Sequence, residues 1–290
     1  MGGAGPGPPG VGRLSPRSLS SGALTAAIQA ALAGAGIPAL AAGVRRLTAT
    51  YRAGDAPAAP VLATKADAAA YAAYRMPATA AATALALQQT RLSLPAWRPE
   101  TLLDLGAGTG SVAWAAAAQL PSVAAMTLLE QSAAAIGVGR AILAAAEGLG
   151  ATWIPAPRAA TFRIWRLPAG HFPVGQPPVG QPPVGQPAAG LRSQPDDVPT
   201  ADLATVSYVL GELTTAQQAA IVALAVRAAP AIVLVEPGTP AGHRRILATR
   251  ELLLAAGYLL AAPCPHWDAC PLAAAADWCH FAARLPRSAV

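Results

Sequence analysis

Three glycines on alternate positions, Gly106, Gly108 and Gly110, follow closely on Asp104, which sits in the apolar run 102–105. Glycine tolerates positive φ and has no Cβ, so a ligand can approach its backbone closely. The run that begins at Ser111 forms helices readily, so its free N–H groups would face that ligand. A second apolar run, 123–129, ends in Glu130. An acid at a strand tip roughly 20 residues past a glycine turn is placed to accept hydrogen bonds from ribose hydroxyls. The alternative is a plain βαβ turn, which requires neither Asp104 nor Glu130.

A second cluster of chemistry lies near the C-terminus. Cys264, Cys270 and Cys279 are the only cysteines, and His266 and His280 stand among them with Pro263, Pro265, Pro271, Trp267 and Trp278. An odd number of cysteines crowded into one segment does not make a disulfide framework and points to a reducing compartment. Thiolates are soft ligands that suit zinc or iron–sulfur centres, whereas the bland alternative is three reduced cysteines buried in a core. Two further acids stand out in a chain poor in acids. Glu212 and Glu236 follow apolar runs and either orient a nucleophile or cap helices.

These residues need a frame. From 101 onward the pattern alternates strand and helix, which predicts a parallel sheet with helices on both faces, a Rossmann-like α/β fold. Strands are expected at 101–105, in the run 123–130 that ends at Glu130, weakly at 152–154, within 201–213, and within 231–240 as a strand and turn. A sixth is expected at 258–260, after a helix over 241–256 that Gly257 caps. In such a sheet the ligand lies off the carboxyl ends of the strands, which would put Asp104, Glu130, Ser207, Tyr208 and Glu236 on one rim.

The expected divisions are a leader with one short helix over 1–60, a helical cap over 61–100, the sheet domain over 101–262 and a Cys-rich segment over 263–290. Residues up to about 21 read as disordered, and 23–32 as the short helix. Arg13, Arg17, Arg45 and Arg46 precede the first acid, Asp55, a composition shared by organellar transit peptides and by Gly/Pro-rich leaders. The uncharged stretch 18–44 is too rich in Ala, Gly and Pro for a membrane span. In the cap, Tyr71, Tyr74 and Arg75 would share a helix face, with Arg75 near a ligand or RNA, or the tyrosines packed on the sheet. Pro77 can start the next helix. The pentapeptide Pro-Val-Gly-Gln-Pro, repeated from Pro173, cannot build a core and predicts an extended loop within 170–200.

At 290 residues the chain can hold one large α/β domain with accessory segments. Its net charge of +6 suits a phosphate-rich partner. Arg244, Arg245, Arg250, Arg284 and Arg287 are the basic residues expected to contact phosphates, or else form a solvated face.

The segments YAAYRMPAT (71–79), LLDLGAGTG (102–110), SYVLGEL (207–213), LVEPGTPAG (234–242), PCPHWDACPL (263–272) and DWCHFAARLPRS (277–288) carry a resemblance. Together they resemble the mitochondrial and bacterial ribosomal small-subunit methyltransferase-like family. LLDLGAGTG is itself similar to motif I of class I S-adenosylmethionine-dependent methyltransferases. The resemblance implies an S-adenosylmethionine site at Asp104, Gly106, Gly108, Gly110 and Glu130. It implies a [4Fe–4S] cluster on Cys264, Cys270 and Cys279, with zinc as the alternative. The family's fourth cluster cysteine, expected downstream of 277–288, has no counterpart here, so the expectation is either a truncated version of the family chain or a site completed by His266, His280, solvent or a partner. The expected partners are small-subunit ribosomal RNA and ribosomal proteins, with no membrane and a monomeric chain. The expected compartment is the bacterial cytoplasm or, alternatively, the mitochondrial matrix. No residue is singled out as catalytic. The non-catalytic alternative is an iron–sulfur assembly factor that binds ribosomal RNA.

Overall fold

The structure, a computed structural model, describes residues 21–53, 61–148, 160–164, 198–264, 266–275 and 277–283. The leader before Ser21, the Gly/Pro linker, the strand expected at 152–154, the pentapeptide repeats, Arg284 and Arg287 lie outside the described residues.

The sheet consists of β1 (Thr101–Leu105), β2 (Ala125–Glu130), β3 (Ala160–Ile164), β4 (Leu203–Ser207) and β5 (Ile232–Val235). Its order is β3-β2-β1-β4-β5, and every pairing is parallel. The order reverses between β1 and β4, so the crevice of this doubly wound sheet opens there. Among the described residues the strand that follows β2 is at Ala160–Ile164.

The strands alternate between two apolar faces, as a period of two requires. Leu102, Met126, Leu128, Leu203 and Val233 pack with α4 (Met76–Ser93), α5 (Ser111–Gln119) and Ile136 of α6 (Ala133–Gly148). Leu103, Leu105, Leu129, Ala204 and Val206 face α7 (Thr215–Ala228) and α8 (Pro240–Ala255). Asp104 shares the Leu102 face, so the fold buries a carboxylate between sheet and helices.

The N-terminal part holds more structure than one short helix. Residues 21–53 form α1 (Ser21–Ala31) and α2 (Ile37–Ala53), which share a buried cluster with α3 (Lys65–Tyr74), Trp114 of α5 and Ile142 of α6. Leu40, Val44, Leu47 and Tyr51 recur at helical spacing along α2. The break between α3 and α4 falls at Arg75, with Pro77 in the first turn of α4, where its missing N–H costs nothing.

The expected sixth strand is not formed. Tyr258 N–H bonds to Leu253 O and Gly257 N–H to Leu254 O, with Gly257 at φ +86°, a Schellman ending to α8. Tyr258 then turns its hydroxyl to the carbonyls of Val226 and Ala229 at the end of α7. The apolar run thus anchors a helix end instead of extending the sheet. No described helix is long and apolar enough to cross a membrane.

Candidate functional site

The end of β1 becomes the floor of a cavity of about 290 Å³, near the lower end of the size range of small-molecule pockets. Asp104 is fully buried and pairs in register with Thr205 of β4, whose hydroxyl donates to Oδ1 at 2.7 Å. Its second oxygen, Oδ2, has no hydrogen-bond partner among the described residues. Burial pushes the Asp104 carboxyl up to about 7, and the nearby Glu130 charge adds to this. An orphaned buried acceptor in a cavity wall is costly unless a ligand supplies the missing donor.

The glycine turn follows at once. Gly106, Gly108 and Gly110 all have positive φ. At Gly106 a Cβ would lie 2.6 Å from Val209 Cγ2, so only glycine lets the β4 loop lie across the turn. The N–H groups of Gly106 and Ala107 bond to Leu129 O, which fastens the turn to the end of β2. Glu130 is part of the same fastening: Oε2 accepts from Gly108 N–H at 2.8 Å and Oε1 from Ser132 N–H at 2.7 Å. Each carboxylate oxygen keeps a second lone pair that a hydroxyl can use. Burial raises the Glu130 carboxyl above its ordinary value, and these backbone donors oppose the rise.

The opposite wall comes from β4 and from the N-terminal helices. Tyr208 has φ +59°, the one non-glycine residue in the left-handed region among the described residues. That strain sits at the tip of β4, beside the cavity it lines. The Ser207 hydroxyl bonds to Thr83 of α4 at 3.0 Å. Glu212, in a short 3-10 turn (Leu210–Glu212), faces the cavity and accepts from the Tyr51 hydroxyl of α2 at 3.1 Å. Burial pushes its carboxyl up to about 7. Tyr71 lines the cavity and meets the Thr79 hydroxyl at 3.2 Å.

The cavity therefore brings together Asp104, Gly106, Gly108, Glu130, Ser207 and Tyr208, as the strand order required. Gly110 stays behind as the residue that caps α5. Glu236 is not on the rim. It accepts from Leu210 N–H at 3.2 Å and from Arg245 Nε at 2.6 Å, locking the β4 loop to α8. Tyr71 and Tyr74 do not share a role: Tyr71 points inward, whereas Tyr74 is exposed, because the helix breaks directly after it. Arg75 stands over the Tyr51 ring, 5.7 Å from its centroid.

Two of the arginines expected on an RNA-facing surface are structural. Arg245 is held by Glu236. Arg250 is buried and donates to Asp268 O at 2.7 Å and to Glu251 at 2.7 Å, tying the Cys-rich segment to α8. Arg244 is the exposed member of the group among the described residues.

In the Cys-rich segment, Cys264 and Cys270 are partly buried and Cys279 is exposed. Partial burial and the neighbouring Cys264 and Cys270 push the Cys279 thiol above its ordinary value. Cys270 Sγ lies 3.9 Å from Nε2 of His243, on α8. His266 Nδ1 is buried without a partner among the described residues, and His280 packs its ring against Trp278. The donors are of a type that soft metals favour. Their positions do not yet surround one ion: among the described residues no three His, Cys, Asp or Glu side chains gather into a metal-holding group.

Residues 65–161 and 188–290 match the family described as mitochondrial small ribosomal subunit Rsm22. The chain belongs to this Rsm22 family. The match omits 162–187, which contains the pentapeptide repeats. The chain is also 28% identical over 212 residues to a human protein, ribosome assembly protein METTL17, mitochondrial. That alignment covers 69% of this chain but 40% of the human protein, so the chain spans well under half of that relative's length.

Sequence pattern alone marks the residues contributed by strand tips and not those brought in from elsewhere. Tyr51 meets Glu212 across the fold, and no local signal joins them. His243 lies within a helix of ordinary composition, and only the packing of α8 beside Cys270 singles it out.

Proposed function

We propose that this chain is a methyltransferase-like protein that binds S-adenosylmethionine and serves small ribosomal subunit assembly. The observation that carries the cofactor reading is the fully buried Asp104, whose Oδ2 lacks a partner among the described residues, in a cavity floored by glycine at the β1/β4 crevice. Asp104 would take donors from the cofactor, and the remaining lone pairs of Glu130 would take the ribose hydroxyls. Gly106 and Gly108 would let the cofactor approach the backbone, with Gly110 starting the helix behind them. When bound, the cofactor supplies an already activated methyl group, so this chain's residues need only position it and exclude water. The assembly reading rests on the family and on the relative's name. The same names support a mitochondrial location in preference to the bacterial cytoplasm.

The Cys-rich segment is assigned to a metal centre on the chemistry of its donors. Cys264, Cys270 and Cys279 would hold it, as an iron–sulfur cluster or, alternatively, zinc. Ribosomal RNA and ribosomal proteins are the proposed partners, with Arg244 the described candidate for a phosphate contact.

A second reading, a non-catalytic assembly factor, is favoured by the tip of β4. There the Ser207 hydroxyl is committed to Thr83, and the Glu236 carboxylate to Leu210 and Arg245. Asp104→Ala separates the two readings. Methyl transfer to small-subunit RNA or protein that vanishes in this variant supports the enzyme. RNA binding that persists, with no transfer by the unaltered chain, supports the assembly factor.

A further inference from the structure

The chain carries a net charge of +6, yet the described residues lining its cavity include Asp104, Glu130 and Glu212 and no Lys, Arg or His. Arg245, the nearest basic residue on α8, is consumed by Glu236. Glu130 spends its charge on backbone N–H groups. Asp104 has one neutral donor and one orphaned oxygen. Glu212 has a phenol from Tyr51 and, among the described residues, no ion pair. Buried carboxylates without a cation are costly, and a ligand that brings positive charge removes that cost.

The strand order sets which acids are neighbours. Glu130 ends β2, Asp104 lies in β1, and Glu212 follows β4, in the spatial order β2-β1-β4. A nucleoside that sets its ribose on Glu130 and runs its 5′ substituent across Asp104 would bring that substituent to Glu212. We propose that Glu212, held in place by Tyr51, is the residue by which this pocket selects a ligand with a cationic 5′ substituent, a sulfonium over the neutral thioether. This rests on the reading of the cavity as an S-adenosylmethionine site and adds a specificity determinant to it. Glu212 would thus favour the methyl donor over its demethylated product. Its elevated proton affinity in the unliganded pocket is consistent with a carboxylate that lacks its counter-ion.

The test is calorimetric titration of the full chain with three probes. These are S-adenosylmethionine, S-adenosylhomocysteine and sinefungin, whose ammonium stands where the donor has its sulfonium. Glu212→Gln should weaken S-adenosylmethionine and sinefungin by about tenfold and leave S-adenosylhomocysteine nearly unchanged. Tyr51→Phe leaves the acid in place without its hydrogen bond and should shift the same ratio by about threefold. It also keeps the test alive if Glu212→Gln does not fold. An equal loss for all three probes, or an unchanged ratio in a folded variant, overturns the role of Glu212 while the cofactor reading stands. Failure of the unaltered chain to bind any probe overturns both.

Discussion

Replacing Gly106 by alanine tests whether the turn is built as described, because two separable costs meet at that residue. Its φ of +80° lies in the left-handed region, where a side chain costs about 1–2 kcal/mol. The new Cβ would also stand 2.6 Å from Val209 Cγ2 and 3.0 Å from Val209 Cβ, an overpacking worth about 1–3 kcal/mol. The lower entropy of the unfolded alanine chain returns about 0.4–1 kcal/mol. The net expectation is a destabilisation of about 1–5 kcal/mol, which most domains survive. Urea unfolding followed by circular dichroism and tryptophan fluorescence measures it. Val209→Ala introduced on the Gly106→Ala background removes the crowding methyls but not the backbone strain. The pair should therefore be less destabilised than the sum of the two by about 1–2 kcal/mol. A Gly106→Ala variant within ~0.5 kcal/mol of the parent, or strict additivity with Val209→Ala, would refute the close approach of the β4 loop to the turn.

Acid-to-neutral titration of the unliganded protein should lower its thermal midpoint. Asp104 and Glu212 are raised to about 7 by burial, from 3.8 and 4.5. Both hold protons more tightly folded than unfolded, so the stability they contribute is complete below about pH 4 and is lost as pH rises to about 7. For Asp104 the shift corresponds to up to ~4 kcal/mol. Asp104→Asn should flatten part of that slope in differential scanning fluorimetry between pH 5 and 8, and a parent whose midpoint is level or rising there would count against it. Arg245→Met leaves the Glu236 carboxylate buried and unpaired and should cost ~3 kcal/mol in urea unfolding; a loss below ~1 kcal/mol would show that Glu236 is not held as described. Anaerobic purification with iron, sulfide and zinc quantified per chain should give about four irons and four sulfides, reduced in Cys264→Ser. One zinc without iron would make the centre a zinc site, and no metal would remove the assignment.

The parts of the fold legible in the sequence are those where local pattern and tertiary requirement coincide. β1, the glycine turn and α5 lie within one continuous stretch, and strand, turn and helix signals there all agree. Asp104 and Glu130 could be placed on one rim because parallel strands put their carboxyl ends together. Glu236 follows the same rule but turns to Arg245, since a buried acid takes the strongest donor within reach. The run at 258–260 looked like a strand by composition alone, and the helix ending at Gly257 decided otherwise. Ala-rich helices gave the weakest signal, because alanine marks neither a buried face nor an exposed one. Hence α2, which delivers Tyr51 to the cavity, reads in the sequence as part of the leader despite its spaced Leu40, Val44, Leu47 and Tyr51.

The central claim is that the cavity over Asp104 and the glycine turn holds S-adenosylmethionine, and equilibrium binding to the full chain tests it directly. One saturable site per chain is expected, abolished in Asp104→Ala while circular dichroism shows the fold intact. No binding by the unaltered chain, or equal binding by Asp104→Ala, would contradict it.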